Sequence, residues 1–228
     1  MADIVIDAPP GGFGAILADP PWAFETFAGP AVPTQGDQPY KTMSNEAIAA
    51  LPVRDLAARN CVLFLWVTWP CLLAGIDTIR AWGFSYKTCA FCWVKADGAQ
   101  MQMFEEFPVQ IGTGYWTRAN SEVCLLATRG KPKRLYADVR QAIIEPRRQH
   151  SRKPDCVHLR IERLCTGPYL ELFARERRAG WASWGNEVDK FNGGFWNAGR
   201  TVAGTDYQAS AGNVEVGRIF GDGNRGGG

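Results

Sequence analysis

The chain has 228 residues, 46% of them hydrophobic and 21% charged, with a formal net charge of +2. That is enough for one domain with a sizeable core, and too apolar for a disordered chain. No apolar run approaches the ~18 residues of a membrane span, and "MADIVIDAPPGG" has no basic stretch leading into an apolar one, so a cytoplasmic protein with no secretory signal and no membrane segment is expected.

Gly14–Asp19 reads as a buried strand that runs into Asp19-Pro20-Pro21-Trp22. The two prolines lack an N–H and fix their own φ, so the strand stops there and the turn is stiff. Trp22 is then expected to be presented from a rigid loop. Residues 23–40 are rich in Pro and Gly without a period, and their length suggests a lid. Ser44 caps a helix that breaks at Pro52. The continuous apolar run 61–68 predicts a central strand of a parallel sheet, covered on both faces. A helix over 70–83, ending at Gly83, and a strand over 84–95 complete a β-α-β unit, so the fold class is α/β.

Residues 96–113 read as a second long loop and 121–130 as a strand. A helix over 153–167, closed by Gly167, precedes a strand over 169–176 and a short last one over 181–188. From 190 onward the text is glycine-rich and ends in "GDGNRGGG". Two parts are therefore expected: a folded domain over 1–189 and a flexible tail over 190–228.

The seven cysteines sit mostly in apolar, strand-like text. Cys89 and Cys92 form a CxxC with no second pair for zinc and no helix start after the first thiol, so core thiols and no metal site are expected. Trp66, Trp69, Trp82 and Trp93 read as core or groove walls. His150 and His158 are isolated imidazoles suited to surface or packing roles. Arg118 and Glu122 have the spacing of a helical ion pair, the alternative for Arg118 being a contact with the substrate. Nine Lys and Arg against two acids fall between Arg129 and Lys153. Such a block is either a solvated face or a track for a phosphate backbone, the latter through Lys131, Lys133, Arg134, Arg147 and Arg148.

Ligands of open α/β sheets bind beyond the carboxyl ends of strands. Three such ends carry polar residues: Asp19, Glu171 with Arg175, and Asn186 with Glu187. No GxGxxG follows a strand and no GxxxxGK[ST] occurs, which points away from nucleotide phosphates and toward a nucleoside such as S-adenosylmethionine.

"ADPPW" is similar to the Asp/Asn-Pro-Pro-aromatic motif of amino-directed adenine methyltransferases. "YKTMS" (40–44), "GTGYWTRANSEVCLLATRGKPK" (112–133), "SRKPD" (151–155), "YLELFAR" (169–175) and "WGNE" (184–187) follow in the order of the family of the mRNA adenine methyltransferase catalytic subunit, which also has bacterial and phage members. The resemblance spans roughly Gly14 to Val188. It implies a Rossmann-like methyltransferase fold with a mostly parallel central sheet flanked by helices, S-adenosylmethionine as cofactor, and methylation of the adenine 6-amino group in nucleic acid, DNA ahead of RNA. Asp19 and the Pro20 carbonyl would accept from that amine, beside Pro21, and Trp22 would stack on or flank the base. Lys153 would lie near the cofactor and the base, and Arg175 near the cofactor ribose, with Asn186 and Glu187 beside it. Asp3 and Asp7 are candidates for an upstream acidic cofactor contact. Homodimers and heterodimers both stay open. The alternative reading is a non-catalytic nucleic-acid-binding subunit of a methyltransferase heterodimer, although such a subunit would be expected to have lost the Asp-Pro-Pro-Trp chemistry.

Overall fold

The computed structural model describes residues 6–23, 42–96, 109, 116–148 and 152–189, all within the unit Met1–Gly194. Most of the expected lid over 23–40, most of the 96–113 loop, His150 and the 190–228 tail lie outside the described residues.

The elements follow in the order β1 (Phe13–Ala18), α1 (Asn45–Ala49), α2 (Val53–Leu56), β2 (Ala57–Val67), α3 (Leu72–Ala81), β3 (Ser85–Ala96), β4 (Ser121–Arg129), β5 (Ala142–Pro146), α4 (Cys156–Leu164), β6 (Tyr169–Leu172) and β7 (Trp181–Trp184). The strands form one seven-stranded sheet in the order β5-β3-β4-β2-β1-β6-β7. Six strands run the same way. β4 alone is reversed, antiparallel to both β2 and β3.

The apolar text of β1 and β2 is continuous because both faces of the sheet are covered. Ile16, Ala18, Leu63 and Leu65 pack on the face that holds Ile48, Val53 and Ile79 of α1, α2 and α3. Ala15, Leu17, Phe64 and Trp66 pack on the opposite face with Val157 and Ile161 of α4. Val157 and Ile161 are one turn apart, and Leu159 between them is exposed, as an amphipathic helix requires. Ser44 caps α1 by accepting from the Ala47 N–H at 3.1 Å. Gly83, with φ +80°, ends the turn after α3 in the left-handed region where a side chain is strained.

The structure corrects four sequence expectations. Strand 61–68 is central, but its neighbours are one parallel and one antiparallel strand, so the sheet is mixed. The β2-α3-β3 crossover exists, yet β4 has inserted between its two strands. The helix expected over 153–167 ends at Leu164, with Cys165 already extended, rather than at Gly167. The strand expected over 169–176 stops at Leu172, because Phe173 takes φ +63° and turns the chain out of the sheet. Cys89 and Cys92 both lie in β3, and the Cys61 thiol in the core is pushed up to about 12 by burial.

Candidate active site

With β4 reversed, one edge of the sheet collects the carboxyl ends of six strands and the start of β4. At this front edge stand Asp19 after β1, Lys95 near the end of β3, Glu122 at the start of β4, Arg147 and Arg148 after β5, and Arg175 after β6. An open cavity lies there, and Asp19, Lys153, His158, Glu171 and Arg175 all line it. Four of these five are among the site residues expected from sequence.

The Lys153 ammonium sits 2.8 Å from Asp19 Oδ2 and 3.2 Å from Glu122 Oε2. Glu122 in turn accepts from Lys95 Nζ at 2.5 Å. Two acids and two bases thus alternate in the order Asp19, Lys153, Glu122, Lys95 across three strand ends. Burial raises the Asp19 carboxyl above its ordinary value, and the Lys153 ammonium only partly opposes it. Burial also favours a neutral Lys153, but the Asp19 and Glu122 carboxylates outweigh it and hold the amine protonated well above the ordinary lysine range. Glu122 is pushed up by burial and pulled down further by Lys153 and Lys95, ending below the usual carboxylate range. The Lys153 ammonium also lies 5.5 Å from the Trp66 ring centroid, a cation–π contact beneath the pair.

The Asp-Pro-Pro-Trp turn is stiff for the reasons its sequence gives, but it points its tryptophan inward. Trp22 is only 6% exposed, packs in the core beside Ile48 and Cys71, and donates its indole N–H to the Trp66 carbonyl at 2.9 Å. A presented aromatic plate is therefore not what this turn provides. Burying an indole is favourable once its N–H has a partner. The backbone is engaged as well: the Pro20 carbonyl accepts from the Trp22 N–H at 2.9 Å and that of Pro21 from Met43 at 3.0 Å. One lone pair of the Pro20 carbonyl remains for a ligand. Replacing Trp22 by Leu is expected to lower stability by about 2–3 kcal/mol, short of a full truncation to Ala. Activity per folded molecule should largely survive. A calorimetric melt beside a rate measurement at low temperature checks this, and an unchanged melt with lost activity would restore the plate.

Glu171 on β6 faces the cavity, with one carboxylate oxygen 2.8 Å from His158 Nε2. His158 is buried on α4 and meets Trp181 edge-on at 4.8 Å. The packing role expected for this imidazole holds, and it faces the cavity too. Arg175 and Glu187 approach at 3.6 Å, and Asn186 is exposed beside them. The loops after β6 and β7 touch at Gly185, where a Cβ would stand 2.4 Å from the Ala174 carbonyl, so only glycine lets them close on each other. Asp7 is exposed ahead of β1, outside the cavity lining, and Asp3 lies outside the described residues.

Glu122 and Lys95 are the site residues that sequence reading missed. Glu122 does not pair with Arg118, because residues 118–120 lead straight into β4 and form no helix. Its signal was an acid at the margin of an apolar strand, but its place at the site depends on the direction of β4, which periodicity does not reveal.

The basic block is divided. Arg129 pairs with Cys61 at the rear of the sheet, whereas Val123 pairs with Val67 near the front. Six residues at about 3.3 Å each place Lys131, Lys133 and Arg134, which follow Arg129, roughly 20 Å behind the cavity. β5 then returns the chain to the front, so Arg147, Arg148, Arg152 and Lys153 stand near the cavity. Lys131, Lys133, Arg134 and Arg147 are exposed. Arg148 is engaged with Asp155 and with the Lys153 carbonyl.

The MT-A70 family profile matches residues 13–187. A Medicago truncatula protein named as a putative N(6)-adenosine-methyltransferase MT-A70-like is 33% identical over 78% of this chain and 27% of its own length. The human N(6)-adenosine-methyltransferase catalytic subunit METTL3 is 30% identical over 78% of this chain and 29% of its own. The type II methyltransferase M.MunI of a Mycoplasma species is 30% identical over 77% of this chain and 78% of its own length. The chain thus spans about a quarter of the plant and animal relatives and most of the Mycoplasma one. By this match and by the α/β fold that carries it, the chain belongs to the MT-A70 family.

Proposed function

We propose that residues 1–189 transfer a methyl group from S-adenosylmethionine to the 6-amino group of adenine in nucleic acid. The observation that carries this reading is the partly buried Asp19–Lys153 pair at the front edge, in one cavity with Glu171 and Arg175. Of the relatives named above, the one matched over most of both lengths is named a type II methyltransferase, and we read that match as favouring DNA over RNA.

The residues present fit the cofactor. Glu171 keeps a carboxylate oxygen for ribose hydroxyls, Arg175 stands in the same cavity for the ribose region, the Lys153 ammonium is the cation near the amino-acid carboxylate, and none of them needs a phosphate-binding turn. S-adenosylmethionine supplies a methyl activated on sulfonium sulfur. An exocyclic amine conjugated into adenine is a poor nucleophile, so the chain must orient it. Asp19 and the free lone pair of Pro20 accept the two amine hydrogens and aim the nitrogen lone pair across the cavity. Lys153 holds the Asp19 carboxylate in place, and that carboxylate offsets positive charge growing on nitrogen. Because burial raises its proton affinity, Asp19 is also a better acceptor for the surplus amine proton than a solvated aspartate. The target base reaches the strand tips only from a single strand or after leaving a duplex. Retention of this charge pair argues against the alternative of a non-catalytic subunit. Transfer of labelled methyl to matched DNA and RNA oligonucleotides tests the reading: DNA should be the better acceptor, and no transfer to either would refute it.

The nucleic-acid track is proposed at the front. Neutralising the exposed pair Arg118 and Arg147 should flatten log K against log salt by about 1.4 to 1.8 units, at ~0.7–0.9 per phosphate contact. Neutralising Lys131, Lys133 and Arg134 should leave the slope as it was. The opposite pattern in a salt titration would move the track to the rear edge.

A further inference from the structure

Arg148 stands among the cations that the sequence assigns to a phosphate track, but its guanidinium is turned inward. Nη1 donates to Asp155 Oδ2 at 2.6 Å and Nη2 to the Lys153 backbone carbonyl at 2.9 Å. Asp155 accepts on its other oxygen from Arg152 Nη2 at 3.2 Å, and the same nitrogen reaches Glu176, in the loop after β6, at 2.7 Å. One planar fork from the end of β5 thus grips the loop before α4 at residue 153 and again at residue 155. The Lys153 side chain leaves for Asp19 and Glu122 from the residue whose carbonyl is gripped. A guanidinium suits this task because its donors are fixed in one plane on two separate nitrogens, whereas a lysine's three donors leave a single nitrogen on a flexible stem.

We propose that Arg148 and Asp155 are positioning residues: together they fix the backbone from which Lys153 reaches Asp19. The proposal rests on the reading of Asp19 and Lys153 as the reacting site. Asp155 lines the cavity and Arg148 does not, but both act through Lys153 rather than on the reacting atoms. Their effect passes through the placement of the Lys153 ammonium, for which a displacement near 1 Å is enough to cost about 10- to 100-fold in rate. Arg148 is accordingly withdrawn from the phosphate track.

The test uses Arg148→Gln, Asp155→Asn and the double variant in the full chain. Each single change should lower kcat about 10- to 100-fold, with KM for the oligonucleotide and the salt slope of its binding unchanged. The double variant should be no worse than the more damaging single one, because both remove the same grip. A phosphate contact behaves otherwise: Arg148→Gln would weaken binding and flatten the slope by ~0.7–0.9, while Asp155→Asn, which removes a negative charge, would tighten it. That pattern overturns the proposal. Amide hydrogen exchange supplies a readout independent of turnover, separating failure of the clamp from failure of the methyltransferase reading. Faster exchange over 152–156 in Arg148→Gln supports the clamp, and protection equal to wild type overturns it. Arg148→Lys, which keeps the charge but not the planar fork, should lie between wild type and Arg148→Gln in both exchange and kcat. If Arg148→Gln fails to fold, Asp155→Asn and Arg148→Lys carry the same comparison.

Discussion

Asp19→Asn is expected to lower methyl transfer by roughly 10³-fold, the upper end of what loss of one preorganised electrostatic partner costs. The substitution keeps the shape and an oxygen that still accepts from Lys153. It removes the negative charge that balances the alkylated nitrogen, and it removes the acceptor for the surplus proton. The fold should survive, because Lys153 retains Glu122 at 3.2 Å and the turn is held by Pro20, Pro21 and the buried Trp22. Rates measured under single turnover, with a melt of the same sample, check both halves. Transfer within about threefold of wild type, far short of the expected loss, would mean that the carboxylate is not at the reacting atoms.

Lys153→Gln should damage both stability and the pH profile. It leaves Asp19 and Glu122 facing each other without the cation between them. Breaking a buried pair by removing one partner costs about 3–5 kcal/mol, and with 26% of the Asp19 side chain and 17% of the lysine still exposed, about 2–3 kcal/mol is expected here. The sign on catalysis follows from the charges. Asp19 already lies above its ordinary value through burial, with Lys153 opposing. Losing the ammonium raises it further, so the acidic limb of the rate profile should move to higher pH. Stability changes with pH as well. Glu122 has a depressed folded pKa, so its contribution is present above its unfolded value and lost as pH falls through the folded one. That acid-side loss should shrink in Lys153→Gln, because its chief depressing partner has gone. An acidic limb that stays in place would show that Lys153 does not act on Asp19.

The parts of this molecule that depend on local pattern were legible. Ser44 as a cap, the stop at Asp19-Pro20-Pro21 and the amphipathic α4 follow from residue chemistry within a turn or two. Asp19, Lys153, Glu171 and Arg175 were legible through the order of the blocks that carry them, and they do share a cavity. What escaped depends on long-range pairing. β5 is five residues with two isoleucines inside a charged stretch, so the count of basic residues hid it. Missing β5 made the basic block look continuous, when it begins behind the sheet and ends in front. The direction of β4 escaped for the same reason, and with it Glu122 and Lys95. Trp22 was misread because a large ring after two prolines looks exposed, and only the carbonyl of Trp66, 44 residues away, shows where its N–H goes.

The central claim is that the front edge of this sheet methylates adenine at its 6-amino nitrogen. Nucleoside mass spectrometry of an adenine-containing DNA, after incubation with S-adenosylmethionine bearing a heavy methyl, measures it directly. The wild-type chain should give heavy N6-methyldeoxyadenosine, and the Asp19→Asn chain should give almost none. Heavy methyl on another base or another atom, or equal labelling by both chains, would contradict it.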